Sequence, residues 1–299
     1  MKTLLLTHPL PTKVFADAVH AIEAQLPLLE YRPGLADAEL AEVEAVLGWR
    51  FPEGVAERLP RLRWVCSVGA GVDKLLVPGL PAQVRVSRIV DGEQADGIAQ
   101  FVVLMALRHA RNLQAYEALQ RTRQWTRQPI GALRSHVGVL GKGAMGSAVA
   151  RMLQAVGFQV TGYSRHSGQS LQAVLGGSDI VVCALPLTPR TQGLLDAKAL
   201  ALMPRGSYLI NIARGAHVVE SDLIDAVRSG HLSGAALDVQ NREPLPADNP
   251  LWDVPGITIT PHIAAQSSPH TIALQFVQGW RCLQRGEAPH NLVDRARGY

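Results

Sequence analysis

Six residues, GKGAMG at 141–146, constrain this chain more than any others. They match GxGxxG, and their setting strengthens the match. VGVL before them has the apolar, β-branched run of a buried strand, and SAVARMLQAVG after them has helical periodicity. A strand, a glycine turn and a helix in that order open a βαβ unit that binds a dinucleotide. Gly141 permits the tight turn, Gly143 lets a pyrophosphate approach the backbone, and Gly146 lets the helix lie close on the strand. Ala144 and Met145 sit between them at the helix N-terminus, whose N–H groups and partial positive charge suit phosphate.

One βα unit later the strand FQVTGY ends at Ser164, followed by Arg165 and His166. An Asp or Glu at this point would hydrogen-bond the adenosine ribose of NAD and repel an added 2′-phosphate. Here a hydroxyl replaces the acid, and Arg165, with His166 beside it, supplies charge-assisted donors. This stretch therefore predicts NADP(H) as the preferred cofactor, with NAD(H) still possible.

The rest of the chain alternates in the same way. KTLLLTH, LRWVCSVGAGVD and VRVSRI read as strands, PTKVFADAVHAIEAQLP as a helix, and LADAELAEVEAVLGW as helix then strand. Residues 93–120 read as one long helix and TRQPIGALRSH as a loop. Beyond the glycine loop, DIVVCALPL, GSYLINIA, SGAALDV and GITITPHIAA are strands. ESDLIDAVRSG is a helix ending on Gly230, and PHTIALQFVQGWRCLQRGE is a C-terminal helix. Such alternation predicts α/β architecture with parallel sheets. At 299 residues the chain has room for two domains. The expected division is a cofactor domain over 95–265 and a discontinuous substrate domain from 1–94 plus 266–299. Both would be doubly wound and Rossmann-like, with the active site in a cleft between them.

Composition narrows the function classes. A net charge of +4, with no basic run interleaved with aromatics, gives no case for nucleic acid. No stretch approaches 18 uninterrupted apolar residues, so no membrane span is expected, and the N-terminal MKTLLLTHPLPTK is a better first strand than a signal peptide. Cys66, Cys183 and Cys282 are far apart and form no metal-binding cluster. They read as reduced thiols of a cytoplasmic protein.

Three chemically capable residues each follow a strand: Arg214 in NIARG, Glu243 in LDVQNREP, and His262 in TPHIAA. Ligands of open α/β sheets bind beyond the carboxyl ends of strands, so the three side chains are candidates for one site. Singly, each has a plainer role: a helix cap, a loop carboxylate, a satisfied buried histidine.

Taken together, GKGAMG, LPLTPRTQGLL, NIARG, LDVQNREPLP and TPHIAA resemble the D-isomer-specific 2-hydroxyacid dehydrogenases, in order and spacing. Within that family GAGVD, NIARGAHVVE, PLPADNPLW and the terminal VDRARGY are most similar to the glyoxylate/hydroxypyruvate reductase A type. The resemblance implies that Arg214 holds the carboxylate of a small 2-oxo or 2-hydroxy acid and polarises its 2-oxo group. His262 would exchange the proton, and Glu243 would orient the imidazole and favour its protonated form. Backbone N–H groups of Ala70 and Gly71 would also bind the carboxylate, and Trp49 would wall the substrate pocket. Leu185, Pro186 and Thr191 would line the cofactor, Ile212 and Ala213 would lie under the nicotinamide, and Asp238 would contact its carboxamide. A homodimer through the cofactor domain is also implied, with Trp125 reaching a neighbouring subunit's site. Two positions depart from the pattern: Gln240, where relatives often carry phenylalanine, and Arg50, where the reductase A type often carries histidine. Arg50 leaves open a larger 2-oxo acid. The fold leaves open a non-catalytic, dinucleotide-sensing, corepressor-like protein, against which the intact Arg214, Glu243 and His262 argue.

Overall fold

A computed structural model describes residues 1–128, 135–165 and 168–299. Residues 129–134 of the expected loop TRQPIGALRSH lie outside the described residues. The chain divides into two compact units, Met1–Gly92 with Gln266–Tyr299, and Glu93–Ala265.

The first unit opens with β1 (Lys2–Leu6), α1 (Thr12–Ile22), β2 (Leu28–Glu30), α2 (Asp37–Leu40), β3 (Val43–Gly48), β4 (Trp64–Ser67) and β5 (Arg85–Ser87). These strands pair in parallel, in the order β2-β1-β3-β4-β5, and an isolated antiparallel bridge joins Ser87 to Leu292. The three-residue β2 went unread in the sequence, being too short to show a period.

Next come α3 (Gly92–Ala110), α4 (Leu113–Arg121), β6 (His136–Leu140), α5 (Ala144–Ala155), β7 (Gln159–Tyr163), α6 (Leu171–Gly176), β8 (Ile180–Cys183) and α7 (Ala197–Leu202). They are followed by β9 (Ser207–Asn211), α8 (Glu220–Arg228), β10 (Leu232–Leu237) and β11 (Ile257–Ile259). Finally α9 (Pro269–Gln284) returns to the first unit, started by Ser268, whose hydroxyl accepts the Thr271 N–H at 3.0 Å. Its Phe276 ring stacks on Trp64 of β4 at 5.0 Å between centroids.

The single helix expected over 93–120 is two. Asn112 sits at φ 53, in the left-handed region, and breaks the pattern between α3 and α4. Apolar periodicity runs through such a break, and asparagine is among the few residues that tolerate it.

The second sheet is also wholly parallel, ordered β11-β10-β9-β8-β6-β7. The order reverses between β6 and β8, which is where such sheets open a ligand crevice. Both faces are buried, and side chains alternate between them. Ile180 and Val182 of β8 join Tyr208, Ile210 and Val137 against α3 and α5. Val181 and Cys183 join Leu209 and Leu237 under α6, α7 and α8. No helix among the described residues is long and apolar enough to cross a membrane.

His109, near the end of α3, stacks on Tyr208 with centroids 4.4 Å apart. Burial there disfavours the charged ring and lowers its pKa below the usual value near 6.5, with the negative charge of Asp179 opposing. The unfolded chain therefore takes up this proton first as pH falls, and the fold loses stability from about pH 6.5 downward. Urea midpoints measured from pH 8 to 5 should decline over that window, and His109→Phe, which keeps a ring on Tyr208, should flatten the decline.

Candidate active site

At the carboxyl end of β6 the chain turns through Gly141 at φ +116. A Cβ at Gly141 would lie 2.5 Å from the Ala184 carbonyl, just past β8, so only glycine lets the two strand ends meet at the reversal. The Gly141 N–H donates to the Tyr163 carbonyl at 2.9 Å and ties the turn to the end of β7. A Cβ on Gly146 would overlap the Gly141 carbonyl, so α5 starts tight against its own loop. Gly143 is the N-cap of α5 with no side chain capping the helix, and a Cβ there would meet no atom within 4 Å. Open backbone at an uncapped N-terminus fits a phosphate-bearing group. Ala144 is exposed and Met145 half-buried beside it. Ser164 is half-buried after β7 and Arg165 is exposed, while His166 lies outside the described residues.

After β8, Leu185 packs on the core, and the half-buried Pro186 offers its carbonyl to the Thr191 hydroxyl at 2.8 Å. That hydroxyl also accepts the Thr188 N–H at 2.9 Å, so Thr191 shapes the loop. Burial pushes the Cys183 thiol up to about 12, which leaves no thiolate for nucleophilic chemistry.

After β9, Ile212 and Ala213 are buried. The fully buried Asn211 holds the turn at both ends: its amide donates to the Arg214 carbonyl at 2.9 Å and its oxygen accepts the Ala213 N–H at 3.1 Å. His217, also fully buried, sets Nδ1 3.0 Å from the Arg214 carbonyl and Nε2 3.3 Å from the Pro186 carbonyl. The Arg214 guanidinium donates to the Ala213 carbonyl at 2.7 Å. A Cβ on Gly215 would overlap the Gln240–Asn241 backbone, so Gly215 brings the Arg214 turn against the loop that carries Glu243.

After β10 and β11 come the acid and the histidine. His262 has φ 58, an uncommon conformation for a histidine, and the surroundings impose it. Its N–H donates to the Asp238 carbonyl at 2.8 Å. The buried Asp238 carboxylate accepts the Thr260 hydroxyl at 2.6 Å and the Ile263 and Ala264 N–H groups at 2.9 Å each, gripping the chain on both sides of His262. Asp238, expected to contact a carboxamide, also holds the histidine loop. The His262 Nδ1 lies 3.2 Å from the Glu243 carboxylate, with both side chains roughly a quarter exposed at 29% and 22%. A carboxylate on Nδ1 fixes the ring's orientation and turns Nε2 to proton exchange. Gln240 donates its N–H to Glu243 at 3.3 Å and its side-chain amide to the Leu237 carbonyl at 3.0 Å, anchoring the acid to β10.

In the first unit, Trp49 is half-buried past β3, its ring 3.3 Å from where a Gly69 Cβ would stand and 5.3 Å from Lys74 Nζ. The buried Ser67 hydroxyl donates to the Gly71 carbonyl at 2.8 Å and accepts the Gly69 N–H at 3.1 Å. Among the described residues neither the Ala70 nor the Gly71 N–H donates to a protein acceptor. Ser67, Asn211 and His217 were missed as positioning residues, although each stands inside or beside a motif. The question that finds them is which side chain satisfies the backbone of each loop.

The D-isomer specific 2-hydroxyacid dehydrogenase NAD-binding domain model matches residues 103–264. The chain is 37% identical over 273 residues to glyoxylate/hydroxypyruvate reductase A of Serratia proteamaculans, covering 85% of this chain and 87% of that one. It is similar to the D-isomer specific 2-hydroxyacid dehydrogenase of Xanthobacter autotrophicus solved with NADPH and MES, at TM-score 0.89, 38% identity, and coverage of 100% and 99%. It is also similar to an NADPH-dependent glyoxylate/hydroxypyruvate reductase of Sinorhizobium meliloti solved with NADP and sulfate, at TM-score 0.90, 31% identity, and the same coverage.

The Asp238 geometry gives a stability test. Asp238→Ala leaves two backbone N–H groups and a hydroxyl without their acceptor, at a cost of about 2 kcal/mol or more. Urea denaturation should show that loss, and amide exchange at Ile263 and Ala264 should accelerate beyond the global change.

Proposed function

The chain belongs to the D-isomer specific 2-hydroxyacid dehydrogenases, and on that footing we propose that it is an NADPH-preferring reductase of small 2-oxo acids, taking glyoxylate to glycolate and hydroxypyruvate to D-glycerate. The observation that carries this reading is the His262–Glu243 pair, held at a strand end of the same sheet as the uncapped glycine loop. Gly141, Gly143 and Gly146 with the N-terminus of α5 would hold the pyrophosphate. Leu185, Pro186 and Thr191 would line the cofactor, Ile212 and Ala213 would lie under the nicotinamide, which supplies the hydride when bound, and Asp238 would contact its carboxamide. Arg214 binds the substrate carboxylate through its planar fork and polarises the 2-oxo group. As C2 gains hydride, His262 Nε2 gives its proton to the developing alkoxide. Glu243 stabilises the imidazolium beforehand, and solvent restores the proton afterwards. Ser164 and Arg165 favour the 2′-phosphate of NADPH. The three buried thiols, none in a disulfide, suit the reducing cytoplasm in which we place the reaction.

A second reading has its own support. Arg50 Nη2 lies 3.4 Å from His8 Nδ1, and Lys74 stands over the Trp49 ring, so basic groups gather around the expected pocket wall. That environment suits a larger 2-oxo acid with a second anionic group. A panel of 2-oxo acids, assayed with NADPH and with NADH, separates the readings. Highest kcat/KM on glyoxylate or hydroxypyruvate supports the first, and on a dicarboxylic 2-oxo acid the second. No turnover at all would return the chain to the non-catalytic, dinucleotide-sensing reading.

Arg214→Lys keeps the charge and loses the fork, so kcat/KM should fall about 10- to 100-fold. His262→Gln should lower kcat by about 100-fold or more while NADPH still binds, as fluorescence titration would show. Loss of NADPH binding in His262→Gln would identify a structural histidine instead.

We also propose a homodimer through the second unit. Leu104, Leu107, Leu113, Tyr116 and the fully exposed Trp125 present apolar surface along α3, α4 and the segment after them. Light scattering on a sizing column should return twice the 32.2 kDa chain mass, and Leu104→Glu with Leu107→Glu should halve it.

A further inference from the structure

Lys142 stands between the first two glycines of the loop, and its side chain crosses to the neighbouring strand. A Cβ built on Gly162 of β7 would lie 2.7 Å from Lys142 Cε, 3.4 Å from Cγ and 3.6 Å from Cδ. The lysine stem therefore lies over the Gly162 backbone, where any larger residue would displace it. The crossing is short because β6 and β7 are paired with Leu140 opposite Tyr163. Gly162 and Ser164 are two residues apart along extended chain, so they share a face. The stem thus occupies the face that Ser164 continues, and its ammonium lies one bond beyond Cε. Lys142 is exposed, and among the described residues no carboxylate pairs with it.

We propose that Lys142 is a specificity-determining residue that pairs, together with Arg165, with the 2′-phosphate of the adenosine ribose. This rests on the NADPH reading above. A phosphate monoester carries close to two negative charges at neutral pH, and a single arginine leaves part of that charge uncompensated. A lysine whose stem already lies along the protein surface loses less freedom on binding than one projecting into water. The glycine loop acquires a second job: its backbone receives the pyrophosphate, and its one cationic side chain reaches back over β7 to the ribose.

The test is equilibrium binding, read by calorimetry for 2′,5′-ADP and 5′-AMP and by fluorescence for NADPH and NADH. Wild type, Lys142→Met, Lys142→Arg and Arg165→Ala are compared. Lys142→Met keeps the stem's bulk and removes the charge, so Kd for 2′,5′-ADP and for NADPH should rise about tenfold or more. Kd for 5′-AMP and NADH should stay within about twofold, and Lys142→Arg should restore most of the loss. Equal losses for NADPH and NADH would assign Lys142 to the pyrophosphate and overturn the proposal. Unchanged binding of all four ligands would overturn it as well, leaving Lys142 a solvated loop residue. Wild-type protein that binds NADH more tightly than NADPH would overturn the underlying reading. Wild-type preference for NADPH that survives Lys142→Met but falls in Arg165→Ala would keep that reading and reject only the lysine.

Discussion

Because every strand of the second sheet runs in one direction, six strand ends face the same edge, and almost everything chemical in this unit hangs from that edge. Gly141, Ser164, Leu185, Arg214, Asp238 and His262 come from six different strands yet share one side of one sheet. An antiparallel sheet would have scattered half of them to the opposite edge. The cost of parallel pairing is long crossovers, which the helices between strands supply while covering both faces. The reversal of order between β6 and β8 separates the crossovers to either face and leaves room at the glycine turn.

Strand ends alone do not aim side chains; buried polar groups finish that work. Asn211 closes the turn before Arg214, Asp238 grips the chain around His262, and Gln240 anchors Glu243 to β10. Each replaces hydrogen bonds that the loop backbone would otherwise make with water, so burying these segments leaves few groups unpaired. The left-handed backbone at His262 makes the point sharply. An isolated chain would rarely hold a histidine there, and the Asp238 carboxylate with the Asp238 carbonyl makes it the satisfied conformation. His217 links the Arg214 turn to the Pro186 loop, so two loops of the same edge are tied together.

Much of this was legible in the residues. Apolar β-branched runs between glycine turns mark parallel strands because both sheet faces are buried, and GKGAMG between strand and helix marks the first crossover of the second unit. What escaped reading has physical causes. The break between α3 and α4 rests on one backbone conformation at Asn112, which apolar periodicity cannot register. The short β2 owes its existence to pairing with β1, a long-range property. The hydrogen bonds by which Asp238 and Thr191 hold their own loops depend on residues brought together by the fold, so their motifs do not show them. The reach of Lys142 across Gly162 depends on strand register, which no local pattern of residues contains.

The residues that hold the loops and those exposed at the rim differ in kind. Asn211, His217, Asp238 and Gln240 are buried and multiply hydrogen-bonded, so a change at any of them leaves partners unsatisfied and disturbs the fold. Lys142 and Arg165 are exposed, and Ser164 half-buried, at the rim of the same sheet edge. A charge there can be added or removed at little expense to stability, because surface substitutions away from buried networks are usually worth under about 0.5 kcal/mol. The same holds for Arg50, exposed beside Trp49 in the first unit. The fold therefore constrains the buried residues that hold the Arg214, Glu243 and His262 loops far more tightly than the exposed side chains at the rim.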